Sequence, residues 1–134
     1  MYPLLFAIIL SALNTTSDLT VNIIGCKNTQ GQVYIALFDS GSTFPTFGKQ
    51  LEAVVLDLDS KEIKYTFKNL RHKSYAAAVY HDVNGNGVLD KNLLGMPTEP
   101  YGFSNNARNR FSAPAFSQAA FKHLNNQKIT IELQ

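Results

Sequence analysis

The chain has 134 residues, 45% of them hydrophobic and 16% charged, and a formal net charge of +2. That length suits one domain with its own core, and the hydrophobic content excludes a disordered polymer. The weak charge, with Lys and Arg scattered and never in a run, excludes a nucleic-acid surface built on a basic patch.

The chain opens on an apolar run from Met1 to Leu13, followed by the polar residues Asn14 to Asp18. The run is shorter than the roughly 18 apolar residues a membrane span requires, so no transmembrane segment is expected. It has the length of a signal-peptide core, with the small residues Ser11 and Ala12 near its end, although no Lys or Arg precedes it. Residues 1–14 are therefore read as a signal peptide and residues 15–134 as a single domain. The protein is read as exported, either periplasmic or extracellular. One cysteine, Cys26, excludes an intrachain disulfide and reads as a core thiol. It lies too far from the apolar run to be a lipoprotein anchor.

Period-2 patterning dominates the rest. Leu19, Val21 and Ile23 alternate with Thr20 and Asn22. Residues 32–38 are apolar on both faces, which suits a central strand. Residues 51–58 form a third run. Ile63, Tyr65 and Phe67 alternate with Glu62, Lys64, Thr66 and Lys68, so one face of that strand is wet. Asp59, Ser60 and Lys61 read as a hairpin turn between these two runs. Residues 75–80 are the fifth run. Ile129, Ile131 and Leu133 make the last, and residues 119–124 are expected to pair with it across residues 125–127. The pattern predicts an all-β, antiparallel β-sandwich of about seven strands, with one long ordered loop.

Two connections break the rhythm. Residues 39–50 carry Phe44, Pro45 and Phe47 between Gly41 and Gly48. Residues 82–117 show few strand signals but hold Tyr101, Phe103, Phe111 and Phe116. Structureless loops of that length are unusual in compact domains and are often functional. Burying each ring is worth roughly 1.5–3 kcal/mol, so the segment is expected to be ordered against the sandwich. Tyr101, Phe103 and Phe111 form a candidate ligand surface for a carbohydrate or protein partner; rings that merely plug the end of the sandwich are the plainer reading.

The long loop begins with Asp82, Asn84 and Asn86, followed by Gly87, Val88 and Asp90. Oxygen side chains at positions one, three, five and nine, with glycine at six, match the front of a calcium loop. Asp82, Asn84, Asn86 and Asp90 are the candidate side-chain ligands, Val88 the candidate carbonyl ligand. Leu93 stands where an EF-hand has its bidentate Glu, so Glu99, the nearest carboxylate downstream, is the candidate that completes the set. With so few charges, calcium affinity is expected in the range of roughly 10⁻⁴–10⁻³ M. A metal-free turn is the alternative, since Asn84-Gly85 and Asn86-Gly87 are both strong turn dipeptides.

Catalytic signals are weak. His81 and Asp82 are adjacent and should point to opposite faces of a strand. His72 and His123 have no ligand spacing to His81, no Gly-x-Ser-x-Gly elbow is present, and Cys26 has no nearby His. No catalytic residue is assigned.

From Tyr80 to Arg108 the chain resembles an uncharacterised exported bacterial family, named domain of unknown function 2141. The resemblance rests on His81-Asp82-x-Asn84-Gly85-Asn86-Gly87-x-Leu89-Asp90, on Leu94-Gly95-x-Pro97-x-Glu99, and on Tyr101-Gly102-Phe103-Ser104-Asn105-Asn106. It extends upstream through Gly31, Val33 and Ala36 to Asp39, and downstream through Pro114 and Phe116 to Phe121. The resemblance implies an exported protein with an immunoglobulin- or transthyretin-like sandwich and supplies no activity. Two functions follow as expectations: a calcium-stabilised binding or surface-associated module, or a hydrolase on a transthyretin-like scaffold. The latter would require His81, His123 and Arg108 or Arg110 to converge in one cleft.

Overall fold

A computed structural model describes residues 15–134; the segment read as a signal peptide, residues 1–14, lies outside the described residues. Among the described residues, eight strands form two sheets. The first contains β1 (Thr16–Ile24), β4 (Ile63–Arg71) and β8 (Gln127–Glu132), in the order β4-β1-β8. The second contains β2 (Gln32–Phe38), β3 (Glu52–Asp57), β5 (Lys73–Asp82), β6 (Tyr101–Phe103) and β7 (Phe121–His123). Its order is β3-β2-β5-β6, with β7 pairing the other end of the same edge of β5.

The expected all-β sandwich is present, with corrections to its pairing. Residues 51–58 and 63–67 are not a hairpin. β3 pairs with β2 and β4 with β1, so residues 59–61 carry the chain from one sheet to the other. β7 pairs with β5 rather than with β8. β8 lies parallel to β1, Val21 opposite Ile129 and Ile23 opposite Ile131, in an otherwise antiparallel structure. Local alternation fixes which face a strand buries but carries no information about which edge it joins.

The sandwich interior is filled by Leu19, Val21 and Ile23 of β1, Val33, Ile35 and Leu37 of β2, Tyr75, Ala77 and Val79 of β5, and Ile131 of β8. Cys26 is buried in this core as expected, and burial pushes its thiol up. The other face of β2 and β5 is also covered. Ala36 and Phe38, with Ala76 and Ala78, meet Phe44 and Ala119 in a second cluster. Phe44 is its hub, edge-on to Phe38 at 5.4 Å, Phe103 at 5.8 Å and Phe116 at 6.0 Å. The two connections that break the strand rhythm are thus the outer layer of the five-stranded sheet. Phe116 packs in this cluster, on the outer face of the sheet rather than at the end of the sandwich where the plainer reading put such rings.

The run Gly102-Phe103-Ser104-Asn105-Asn106 pins that layer. A Cβ on Gly102 would stand 2.9 Å from the Glu132 carbonyl, so only glycine lets β6 lie against β8. Ser104, buried, accepts the Ala77 N–H at 2.9 Å and donates to the Ala119 carbonyl. Asn105 donates to the Ala120 carbonyl at 2.8 Å, and Asn106 accepts the Glu132 N–H at 3.0 Å. Both asparagines have positive φ, of 59° and 49°, a conformation Asn tolerates better than most residues.

At the far end of β5, Gly31 lies against the backbone of Asp82. A Cβ there would sit 1.9 Å from the Asp82 carbonyl oxygen, at a φ of +73°. Gly31→Ala is therefore expected to cost more than about 2 kcal/mol, since both backbone and contact must give. Urea unfolding followed by circular dichroism measures it; a loss below about 0.5 kcal/mol, the range of a bland surface substitution, would contradict this close approach.

Candidate functional site

β5 delivers Asp82 into the start of the long connection with its side chain fully buried. Its Oδ1 accepts the Asn86 N–H at 3.2 Å and its Oδ2 the Gly87 N–H at 2.8 Å, which folds residues 82–87 back on themselves. Asn84 and Asn86 each donate an amide hydrogen to Asp90, at 2.6 and 2.7 Å. Their Oδ1 atoms accept the backbone N–H groups of Asn86 and Val88. The Asp90 N–H in turn donates to Glu99 Oε2 at 3.3 Å, and the Asp90 carbonyl accepts from Thr98.

The structure therefore gathers Asp82, Asn84, Asn86, Asp90 and Glu99 into one network. Val88 enters it through its N–H, while its side chain turns to the groove described below. Leu93, where an EF-hand would place its carboxylate, is fully exposed and takes no part. No group of three or more His, Cys, Asp or Glu side chains among the described residues could hold a metal ion as it stands. The side-chain oxygens of Asp82, Asn84, Asn86, Asp90 and Glu99 accept N–H donors of the loop itself.

The electrostatics of the loop are unbalanced. Donation from Asn86 and Asn84 holds the Asp90 carboxyl below its usual range. Glu99, buried, is pushed up by that burial and further by the charges of Asp90 and Asp82, against partial relief from the Asp90 N–H. Among the described residues, ion pairs join Lys68 to Asp18 and Lys73 to Asp39, and none reaches these three carboxylates.

Beside the loop, on the outer face of the five-stranded sheet, lies a groove of about 850 Å³, within the usual size range of ligand pockets. Its floor is the register pair Tyr34 and Tyr80, stacked at 4.7 Å and 9°, with Phe47 edge-on to Tyr80 at 4.9 Å. Val88, Met96 and Pro97 of the loop form one wall. The three rings expected as a ligand surface, Tyr101, Phe103 and Phe111, line the same groove. Loop and groove touch directly, since the Tyr80 hydroxyl donates to the Gly87 carbonyl at 3.2 Å. Burial pushes that phenol up to about 12, so it remains a donor at neutral pH.

Tyr34, Phe47 and Tyr80 did not figure among the candidate residues. The signal available was position: Tyr34 lies between the inward-facing Val33 and Ile35, and Tyr80 follows the inward-facing Val79, so both rings must face outward.

The residues a hydrolase would need do not converge. His81 Nδ1 accepts the Lys27 N–H and its Nε2 donates to the Gln30 carbonyl, near the end of β5. His123 pairs with Lys73 at the beginning of β5 and contacts Ser17 at 2.9 Å. Arg108 lies over the Tyr101 ring and Arg110 over Phe111, on the outer face.

The family model described as an uncharacterized protein conserved in bacteria (DUF2141) matches residues 21–132. No curated protein and no solved structure matches the chain.

The raised Glu99 has a consequence for ion-free protein. Its folded-state value lies above the unfolded one, so its contribution favours the fold most at low pH and is lost as pH rises through the folded value. Glu99→Gln keeps an acceptor for the Asp90 N–H and removes the charge. In chelator it is expected to raise the unfolding midpoint at pH 7 by about 2–5 °C, the shift that about 1 kcal/mol gives in a domain of this size, with no gain at pH 4. Equal shifts at both pH values would detach the effect from titration.

Proposed function

We propose that this chain, which belongs to the bacterial family of domain of unknown function 2141, is an exported binding module whose loop at residues 82–99 is stabilised by calcium. The observation that carries the reading is the fully buried Asp82, clustered with Asp90 and Glu99 and joined by no cationic side chain among the described residues. Buried carboxylates without a counter-charge are costly, and a hard divalent cation with oxygen ligands is the partner that removes that cost.

Asp82, Asp90 and Glu99 would supply the charge, with Asn84, Asn86 and the Val88 carbonyl as neutral ligands. Amide hydrogens of Asn84 and Asn86 stand against Asp90, where the charge of a bound ion would replace them. Calcium here holds the loop, and through Gly87 and Tyr80 the wall of the groove, rather than performing chemistry. Export, the other half of the reading, is supported by the apolar run at residues 1–13.

Thermal unfolding with and without calcium tests the ion. At about 10 mM calcium, a site with a Kd of roughly 10⁻⁴–10⁻³ M should add about 1.4–2.7 kcal/mol and raise the midpoint by several degrees. Asp82→Ala should abolish the shift. Asp90→Asn, at a residue the backbone does not depend on for turning, should reduce it while leaving the ion-free fold in place. An unchanged midpoint in the unaltered protein at this concentration would remove calcium from the function.

A further inference from the structure

We propose that the outer-face groove takes a small organic anion with an apolar body, of the fatty- or aryl-carboxylate kind, whose charged head is met by Lys91 and Arg110. The inference rests on the proposed binding module, with the long connection of residues 82–117 as its ligand-binding face, and not on calcium. The groove's size fits one small molecule. Its floor and walls are mostly rings and aliphatic side chains, among them Tyr34, Phe47, Tyr80 and Phe103, so the body of the ligand must be apolar.

Charge decides the head. Lys91 and Arg110 are the charged residues that line the groove, both are exposed, and neither is in an ion pair among the described residues. No Asp or Glu among the described residues lines it. The loop carboxylates next door are turned inward to their own donors. Arg108, over the Tyr101 ring at 5.0 Å, adds a third positive charge nearby. Arg110 lies over the ring of Phe111, a residue 79% exposed. That segment therefore presents a cation and an uncovered apolar surface together, the pairing an amphiphilic anion requires.

A neutral sugar fits less well. The two side-chain amides that line the groove, of Asn109 and Gln50, already hold other protein groups. Asn109 and Gln118 hold each other at 3.1 and 3.2 Å, and Gln50 Oε1 accepts the Gly48 N–H at 2.6 Å. The Tyr80 hydroxyl is committed to Gly87.

Two dyes that share their rings separate the claims: anilinonaphthalene sulfonate, an anion, and phenylnaphthylamine, its neutral counterpart. Fluorescence titration of the full chain should give saturable one-to-one binding of the anion, at least about fivefold tighter than the neutral dye, and decanoate should displace it. The double variant Lys91→Gln, Arg110→Gln alters exposed residues and should fold normally. It should weaken the anion about fivefold to tenfold, as two partly screened charge contacts would, and leave the neutral dye unchanged. Val55→Glu, at a half-exposed groove residue, should abolish anion binding with the unfolding midpoint retained. Equal affinity for the two dyes, or no effect of the double variant, would overturn the anion and leave the binding face. Binding of neither dye would overturn the binding face itself.

Discussion

Every residue of β5 from Tyr75 to Asp82 is buried, and that double burial dictates the rest of the architecture. A strand in a two-sheet sandwich ordinarily hides one face in the core and leaves the other to water. Here the inner positions, Tyr75, Ala77 and Val79, join the sandwich core. The outer positions, Ala76 and Ala78, are too small to cover the sheet themselves and admit Phe44 and Ala119 instead. The long connection cannot then be a passive loop. It must return along the outer face as β6, the Ser104–Asn106 turn and the short helix Phe116–Ala119.

The run from Gly102 to Asn106 holds the outer layer in place. Gly102 permits close approach to β8, Ser104 bonds to β5 and to Ala119, and the two asparagines accept a left-handed backbone while tying the turn to neighbouring chains. A motif of Gly, Ser and Asn beside aromatic rings invites a ligand-binding reading. Its polar atoms are spent on backbone, which leaves the rings, and not the motif's hydrogen bonds, facing outward into the groove.

At the other end of β5, Asp82 couples the fold to the loop. It terminates the strand, turns the chain through the N–H groups of Asn86 and Gly87, and adds its charge to that of Asp90 against Glu99. The Tyr80 hydroxyl carries this arrangement one step further, to the floor of the groove. A change in loop charge thus acts on a segment that itself forms one wall of the groove. The linkage is local and needs only the two residues Tyr80 and Asp82, neighbours but one on the same strand.

Much of this was legible in the residues. Alternation at Leu19, Val21 and Ile23 and at Ile63, Tyr65 and Phe67 gave the strands and their buried faces, because side-chain direction is a local property of extended backbone. The apolar run at β2 identified a strand covered on both faces. The Asp82–Asp90 oxygen spacing located the loop whose side chains the structure gathers. The tertiary structure alone decided pairing: that β3 and β4 lie in different sheets, that β8 runs parallel to β1, and that β7 joins β5. Those choices depend on which distant surfaces close together, and no local period records them. The groove is of the same kind. Tyr34, Phe47, Tyr80, Met96 and Phe111 are dispersed along the chain and converge only because β2 and β5 must be covered by segments far from them in sequence.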